Sequence, residues 1–304
     1  MDAGILAFNP QAGQAETLQA GLRRVLAPNP SPMTFRGTNT YLIGTREIAV
    51  IDPGPDDSAH LNAILAALDA AQSISHIFVT HAHLDHSPLA ARLADVTGAP
   101  ILAFGGPHSG RSPVMQDLAQ RGLAGGGEGV DESFAPTQII KDGDIVHGDG
   151  WALEALHTPG HFGNHLSFAW EDVCFCGDHV MGWASSLVSP PDGDLTDFME
   201  SCRKLLSRTW RVFHAGHGAP IESPSERLKW LMAHRLGRES QILEDLSRAP
   251  SGASELAARI YTETPPPLMP AATRNVFAHL VDLYGKKIVT AQGELSANAI
   301  FERL

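Results

Sequence analysis

Apolar residues recur with two different periods along the first 220 positions, and the switches between them mark out the elements. "TYLIG" (40–44) and "EIAVID" (47–52) read as two β-strands joined by a tight turn, with "DPGP" (52–55) ending the second. Leu61, Ile64, Leu65 and Leu68 then return at helical spacing. "HIFVT" (76–80) reads as a short buried strand and "PILAF" (100–104) as another. Between them "SPLAARLADVTG" (87–98) reads as a helix, with Pro88 in its first turn and Gly98 closing it. Residues 105–136 are Gly-rich and poorly periodic, which predicts a long functional cover or mobile loop. Strands resume at "QIIKDGDIVHGDG" (138–150), where "KDGD" suggests a hairpin turn, and continue with 151–158, 165–171 and 173–178. A helix over 195–206 and a strand over 210–216 complete this set.

The period changes for good at 222–247, a long helix. Ser223 with Glu226 forms a capping box, Pro224 takes the first helical position, and Leu228, Leu231, Met232, Leu236, Ile242, Leu243 and Leu246 form the buried stripe. "RAPSG" (248–252) breaks it. Helices over 254–262 and 271–284, a Pro-rich turn and a closing hairpin predict a small winged-helix-like unit. The expected division is a catalytic domain over 1–222, and the linking helix with the C-terminal unit over 223–304.

Composition narrows the class. Apolar residues are 43% and charged residues 18% of 304, as in a soluble globular chain, and no apolar run reaches the ~20 residues of a membrane span. The N-terminus has neither a basic n-region nor a long apolar stretch, and three cysteines give no disulfide framework, so the expected location is the cytoplasm. The net charge of −12 opposes polyanions unless bound cations offset it locally. From 251 onward five acidic and five basic residues balance, which favours packing or homodimerisation of the tail over nucleic-acid reading.

The candidate chemistry sits in "THAHLDHS" (80–87), where three histidines and an aspartate occupy positions 81 to 86 directly after an apolar strand. Neutral imidazoles with carboxylates form the ligand set for zinc or a similar metal. A His-rich surface loop is the plain alternative. Three more clusters weigh against it: "HTPGH" (157–161), "CGDH" (176–179) and "HAGHG" (214–218) each end a predicted strand, where sites of layered α/β proteins are built.

His81-x-His83-x-Asp85-His86, followed by His161, Asp178 and His217, resembles the metallo-β-lactamase superfamily over residues 28–220. The resemblance implies a four-layer αββα sandwich with a dinuclear metal site at one edge. It implies that His81, His83 and His161 bind one ion, that Asp85, His86 and His217 bind the other, and that Asp178 bridges them. The ions are expected to be zinc, with manganese or iron as alternatives. His157 and His214 match no ligand position. Asp52 in "VIDPG" either holds the metal-binding loops or starts a turn before proline. "NPSPMTFRGTNTYLIG" (29–44), "HRLGRESQIL" (234–243) and the tail are most similar to the β-lactamase-like protein 2 group.

Two such ions make a bridging hydroxide available at neutral pH, with Asp85 and Asp178 placed to steer its proton. That implies a hydrolase. The resemblance to the β-lactamase-like protein 2 group implies a thioester or ester as its substrate, and no basic stripe interleaved with aromatics is visible in the sequence to favour RNA. The alternatives are a single-strand-preferring endoribonuclease, a lactonase and a non-catalytic metal-binding protein. Asn39, Thr40 and residues 183–194 are expected near the metal mouth. His234, Arg235, Arg238 and Glu239 suggest a charge network on one helix face, or an arginine reaching an anionic substrate group.

Overall fold

The computed structural model describes residues 7–126 and 129–304. One sheet pairs β1 (Ala15–Gln19), β2 (Leu22–Leu26), β3 (Asn39–Ile43), β4 (Glu47–Ile51), β5 (Ser73–Phe78), β6 (Ile101–Ala103) and β7 (Gln138–Ile139) in that order. Helices α1 (Ser58–Ala66), α2 (Leu89–Thr97) and α3 (Pro113–Gln120) lie in its connections. A second sheet contains β8 (Ile145–Gly148), β9 (Trp151–His157), β10 (Leu166–Trp170), β11 (Val173–Gly177) and β12 (Val212–Ala215), ordered β12-β11-β10-β9-β8, with α4 (Leu195–Leu206) before its last strand. The chain continues through α5 (Pro224–Leu246), β13 (Ser251–Gly252), α6 (Ala253–Ile260), α7 (Met269–Gly285), β14 (Val289–Ala291) and β15 (Ile300–Arg303).

Side-chain alternation builds the layers. Ala49 and Ile51 of β4 face the other sheet, while Ile48 and Val50 face α1 and α2. Val173 and Phe175 of β11 point inward, while Cys174 and Cys176 point outward against α4 and α5. Phe78, Phe168 and Phe175 fill the space between the sheets, each contributing on the order of 2 kcal/mol by burial. This is the expected αββα sandwich. A fourth core, Ile242, Leu246, Leu256, Val276, Leu280 and Phe301, holds α6, α7 and the small third sheet to the end of α5.

Five local expectations change. β1 and β2 precede the first predicted strand. Their pattern was hidden because "LRRVL" carries Arg24, which is buried, paired with Glu16 at 2.5 Å and set over the Phe8 ring. Residues 105–136 are not all loop: α3 starts at Pro113 and buries Met115 and Leu118 against the C-terminal unit. "KDGD" turns no hairpin, because β7 pairs with β6 and β8 with β9, so it carries the chain from one sheet to the other. The hairpin turn lies instead at Asp149–Gly150. Ser223 makes no side-chain cap, and Leu236 is half exposed, the α5 stripe turning past it.

Candidate metal centre

Each cluster predicted from a strand end arrives at the same edge of the sandwich. His81, His83 and His161 form one group that could hold an ion, and Asp85, His86, Asp178 and His217 form a second. Within each group the donor atoms lie within 4.8 Å of one another, and all seven side chains are buried.

Hydrogen bonds on the far sides of the rings orient these histidines. Thr80 Oγ1 donates to Asp52 Oδ2 at 2.8 Å, so it can accept from His81 Nδ1 at 2.9 Å. His86 Nδ1 donates to Asp52 Oδ2 at 2.9 Å, His161 Nδ1 to Leu187 O at 2.7 Å and His217 Nδ1 to Gly37 O at 3.2 Å. With the Nδ1 protons placed outward, Nε2 of four rings faces inward. His83 uses the other nitrogen: its Nδ1 stands 2.8 Å from His81 Nε2 and 3.2 Å from His161 Nε2. Three imidazole nitrogens cannot all be bonded by protons on one another, and a shared cation satisfies their lone pairs at once.

Electrostatics supports the same fit. Burial pushes His81, His83 and His161 down, His83 to about 3, and keeps them neutral as metal ligands must be. In the other group burial opposes charge on His217, but Asp178 and Asp85 outweigh it and push the ring up to about 10; His86 rises for the same reason. Burial would raise Asp85, yet His86 and His217 hold it at about 2. Neither Asp85 oxygen nor Asp178 Oδ1 has a hydrogen-bond partner among the described residues. Buried carboxylates that keep positive charge beside them and lack donors fit divalent cations.

Asp52 resolves in favour of holding the loops. It is buried, takes a left-handed φ of 51°, and accepts from Thr80 N at 2.7 Å, Thr80 Oγ1 and His86 Nδ1. One carboxylate thereby ties the His81 loop to His86. Asn39 clamps the His217 loop: its Nδ2 donates to Ala215 O at 3.1 Å and Gly218 O at 2.9 Å. Thr40 Oγ1 donates to Asp52 O at 2.7 Å. Asn39 and Thr40 therefore stand beside the metal-binding loops, as expected, and support them without lining the cavity. His157 stacks on Phe104 at 3.8 Å and His214 packs against Tyr41 and Phe175, outside both groups as expected.

Gly160 shows why the "PGH" turn needs glycine. Its φ is 137°, and a Cβ there would stand 2.5 Å from Phe198 N in the first turn of α4. Gly160→Ala is expected to cost about 3 kcal/mol in folding stability by displacing α4 or the turn that carries His161. Denaturant unfolding of the two proteins measures the difference.

A cavity of about 220 Å³ opens over the two groups. Trp183, Ala184, Ser185 and Leu187 line it, whereas Ser189 and Pro190 turn away and accept hydrogen bonds from Arg274. The rest of its wall comes from the C-terminal unit, including Tyr261, Leu268, Ala272 and Asn275. Those residues carry no local motif, and the sequence reading did not find them. Among the described residues no lysine or arginine lines the cavity. Arg235 is buried behind it, and Arg238 bonds Gln241 and Ile260 O and covers the Tyr261 ring, so neither reaches an anionic group there. Among the described residues the expected one-face charge network is absent as well: His234 stacks on Trp230, and Glu239 pairs with Lys286, just past the end of α7.

Comparison with known proteins agrees with this geometry. The family model of the metallo-beta-lactamase superfamily matches residues 33–228, and that of the beta-lactamase associated winged helix domain matches residues 253–294. A beta-lactamase-like protein 2 homolog from Drosophila melanogaster is 32% identical over 88% of this chain and 88% of its own length. An atrochrysone carboxyl ACP thioesterase from Claviceps purpurea is 29% identical over 79% of this chain and 69% of its own. The crystal structure of a metallo-beta-lactamase family protein from Thermus thermophilus superposes with a TM-score of 0.75 at 26% identity, covering 95% of this chain and 100% of that one.

Proposed function

The chain belongs to the metallo-β-lactamase superfamily, with an associated winged helix domain at its C-terminal end, and from that premise we propose a dinuclear zinc hydrolase acting on acyl thioesters or esters. The superfamily supports a metal-dependent hydrolase; the acyl substrate is our reading. One observation carries it. The cavity over the histidine and aspartate groups is walled by Met33, Met181, Trp183, Leu187 and Leu268, with no lysine or arginine among the described residues. Such a wall takes an apolar acyl group and offers nothing to a phosphodiester, in keeping with the net charge of −12.

In this reading His81, His83 and His161 would hold one ion, Asp85, His86 and His217 would hold the other, and the Asp178 carboxylate would be available to both. When bound, the ions would acidify a shared water and polarise the scissile carbonyl. The protein's own part is orientation and proton handling. Asp52, Leu187 O and Gly37 O fix the imidazole rings. Asp85 and Asp178 offer carboxylate oxygens without donors to accept the proton of the attacking water. The cavity's carbon lining excludes bulk water from the acyl side.

Zinc-reconstituted protein assayed on acyl thioesters, esters, lactones and single-stranded RNA tests the assignment. Thioester or ester turnover should lead, with kcat/KM on the order of 10⁴ M⁻¹s⁻¹ or above. RNA cleavage as the leading activity, or no acyl hydrolysis with two ions bound, would contradict it.

A further inference from the structure

Arg235 is among the largest fully buried side chains, yet no carboxylate pairs with it among the described residues. A buried guanidinium is costly unless its donors are used. Arg235 uses two of its nitrogens on two neighbours: Nη1 donates to Asn275 Oδ1 at 3.0 Å and Nη2 donates to Ser186 O, while Nε has no partner among the described residues and the guanidinium lies 5.1 Å from the Phe198 ring centre. Val188 N also donates to Asn275 Oδ1, at 3.1 Å.

Two donors meet the same atom of Asn275, so that atom must be the amide oxygen and the side chain cannot be flipped. The Nδ2 group is thereby turned away from Arg235 and Val188. It has no acceptor among the described residues, and Asn275 lines the cavity beside Leu187, Leu268 and Ala272. Asn275 is half-buried, so this fixed amide donor is open to the cavity and available to whatever fills it.

We infer that Asn275 Nδ2 donates to an oxygen carried on the acyl chain itself, a keto or hydroxyl oxygen distinct from the scissile carbonyl, and that Arg235 is its positioning residue. This rests on the acyl reading of the same site. The scissile carbonyl faces the histidine and aspartate groups, so the oxygen that meets Asn275 is a second one. The substrate class is then an oxygenated acyl group, preferred over a plain alkyl acyl group of equal length. The C-terminal unit sets that preference, because Asn275 lies on α7.

The experiment uses zinc-loaded full-length protein and two non-hydrolysable thioether analogues, one with an in-chain ketone and one with methylene in its place. Calorimetry should show the keto analogue bound about tenfold more tightly by the unaltered protein, the effect of one hydrogen bond. Asn275→Asp keeps oxygens for Arg235 and Val188 but removes the donor. It should erase the preference while leaving metal content unchanged and Tm no lower than that of the unaltered protein, since the new carboxylate pairs with Arg235. Equal binding of both analogues by the unaltered protein overturns the inference, as does a preference that survives in Asn275→Asp. Failure of the hydrolase reading is distinct: selective keto binding without thioester turnover contradicts hydrolysis and upholds the recognition.

Discussion

Replacing Asp178 with alanine is expected to lower kcat on the order of 10³-fold and to leave the protein folded with fewer than two ions bound. The reason is its position. Asp178 Oδ2 stands 3.2 Å from His217 Nε2 and 3.8 Å from His161 Nε2, and Oδ1 stands 3.5 Å from His86 Nε2. It is therefore a carboxylate that reaches both ligand groups, His161 belonging to one and His86 and His217 to the other. The fold should tolerate the change, since Asp178 Oδ1 has no hydrogen-bond donor to lose. Kinetics together with metal content of the same preparation check both halves. Unchanged kcat with two ions retained would remove Asp178 from the chemistry.

Asp52→Ala should be the more damaging change to the protein as a whole. It deletes the acceptor of Thr80 N, Thr80 Oγ1 and His86 Nδ1, and leaves those donors buried. Orphaned donors of this kind cost about 3–5 kcal/mol when a charged partner is lost, a fall in Tm on the order of 10 °C in a chain of this size. Alanine is also poorly suited to the left-handed φ of 51° at this position. With His86 no longer held by its Nδ1, ion affinity should drop about 10–100-fold. Thermal unfolding with and without zinc separates the two effects, because the affinity loss appears only in the zinc-dependent part of the shift. A Tm within a degree or two of the parent would contradict this role.

The seven candidate ligands were legible because each belongs to a short motif that follows a strand, and those strand ends converge at one edge of the stacked sheets. The strands β4 and β11 were likewise legible, falling within the runs 47–52 and 173–178 that read as strands. Relations between distant segments were not legible. "KDGD" resembles a hairpin turn locally, and only the pairing of β7 with β6 shows that it crosses between sheets. Leu236 fits the helical stripe of α5, but its register meets no packing partner and leaves it half exposed. Arg235 reads as a surface cation in a charged helix, and only the approach of Asn275 and Ser186 from other segments makes its burial tolerable. The cavity wall is the largest omission. Tyr261, Leu268 and Asn275 become neighbours of His161 through the packing of α7 and its flanking segments over the sandwich edge, which no local pattern encodes.

Anomalous diffraction from zinc-loaded crystals tests the central claim most directly. Two ions per chain are expected, one among His81, His83 and His161, the other among Asp85, His86 and His217, with the Asp178 carboxylate between them. A single ion, or ions bound elsewhere in a correctly folded protein, would contradict it.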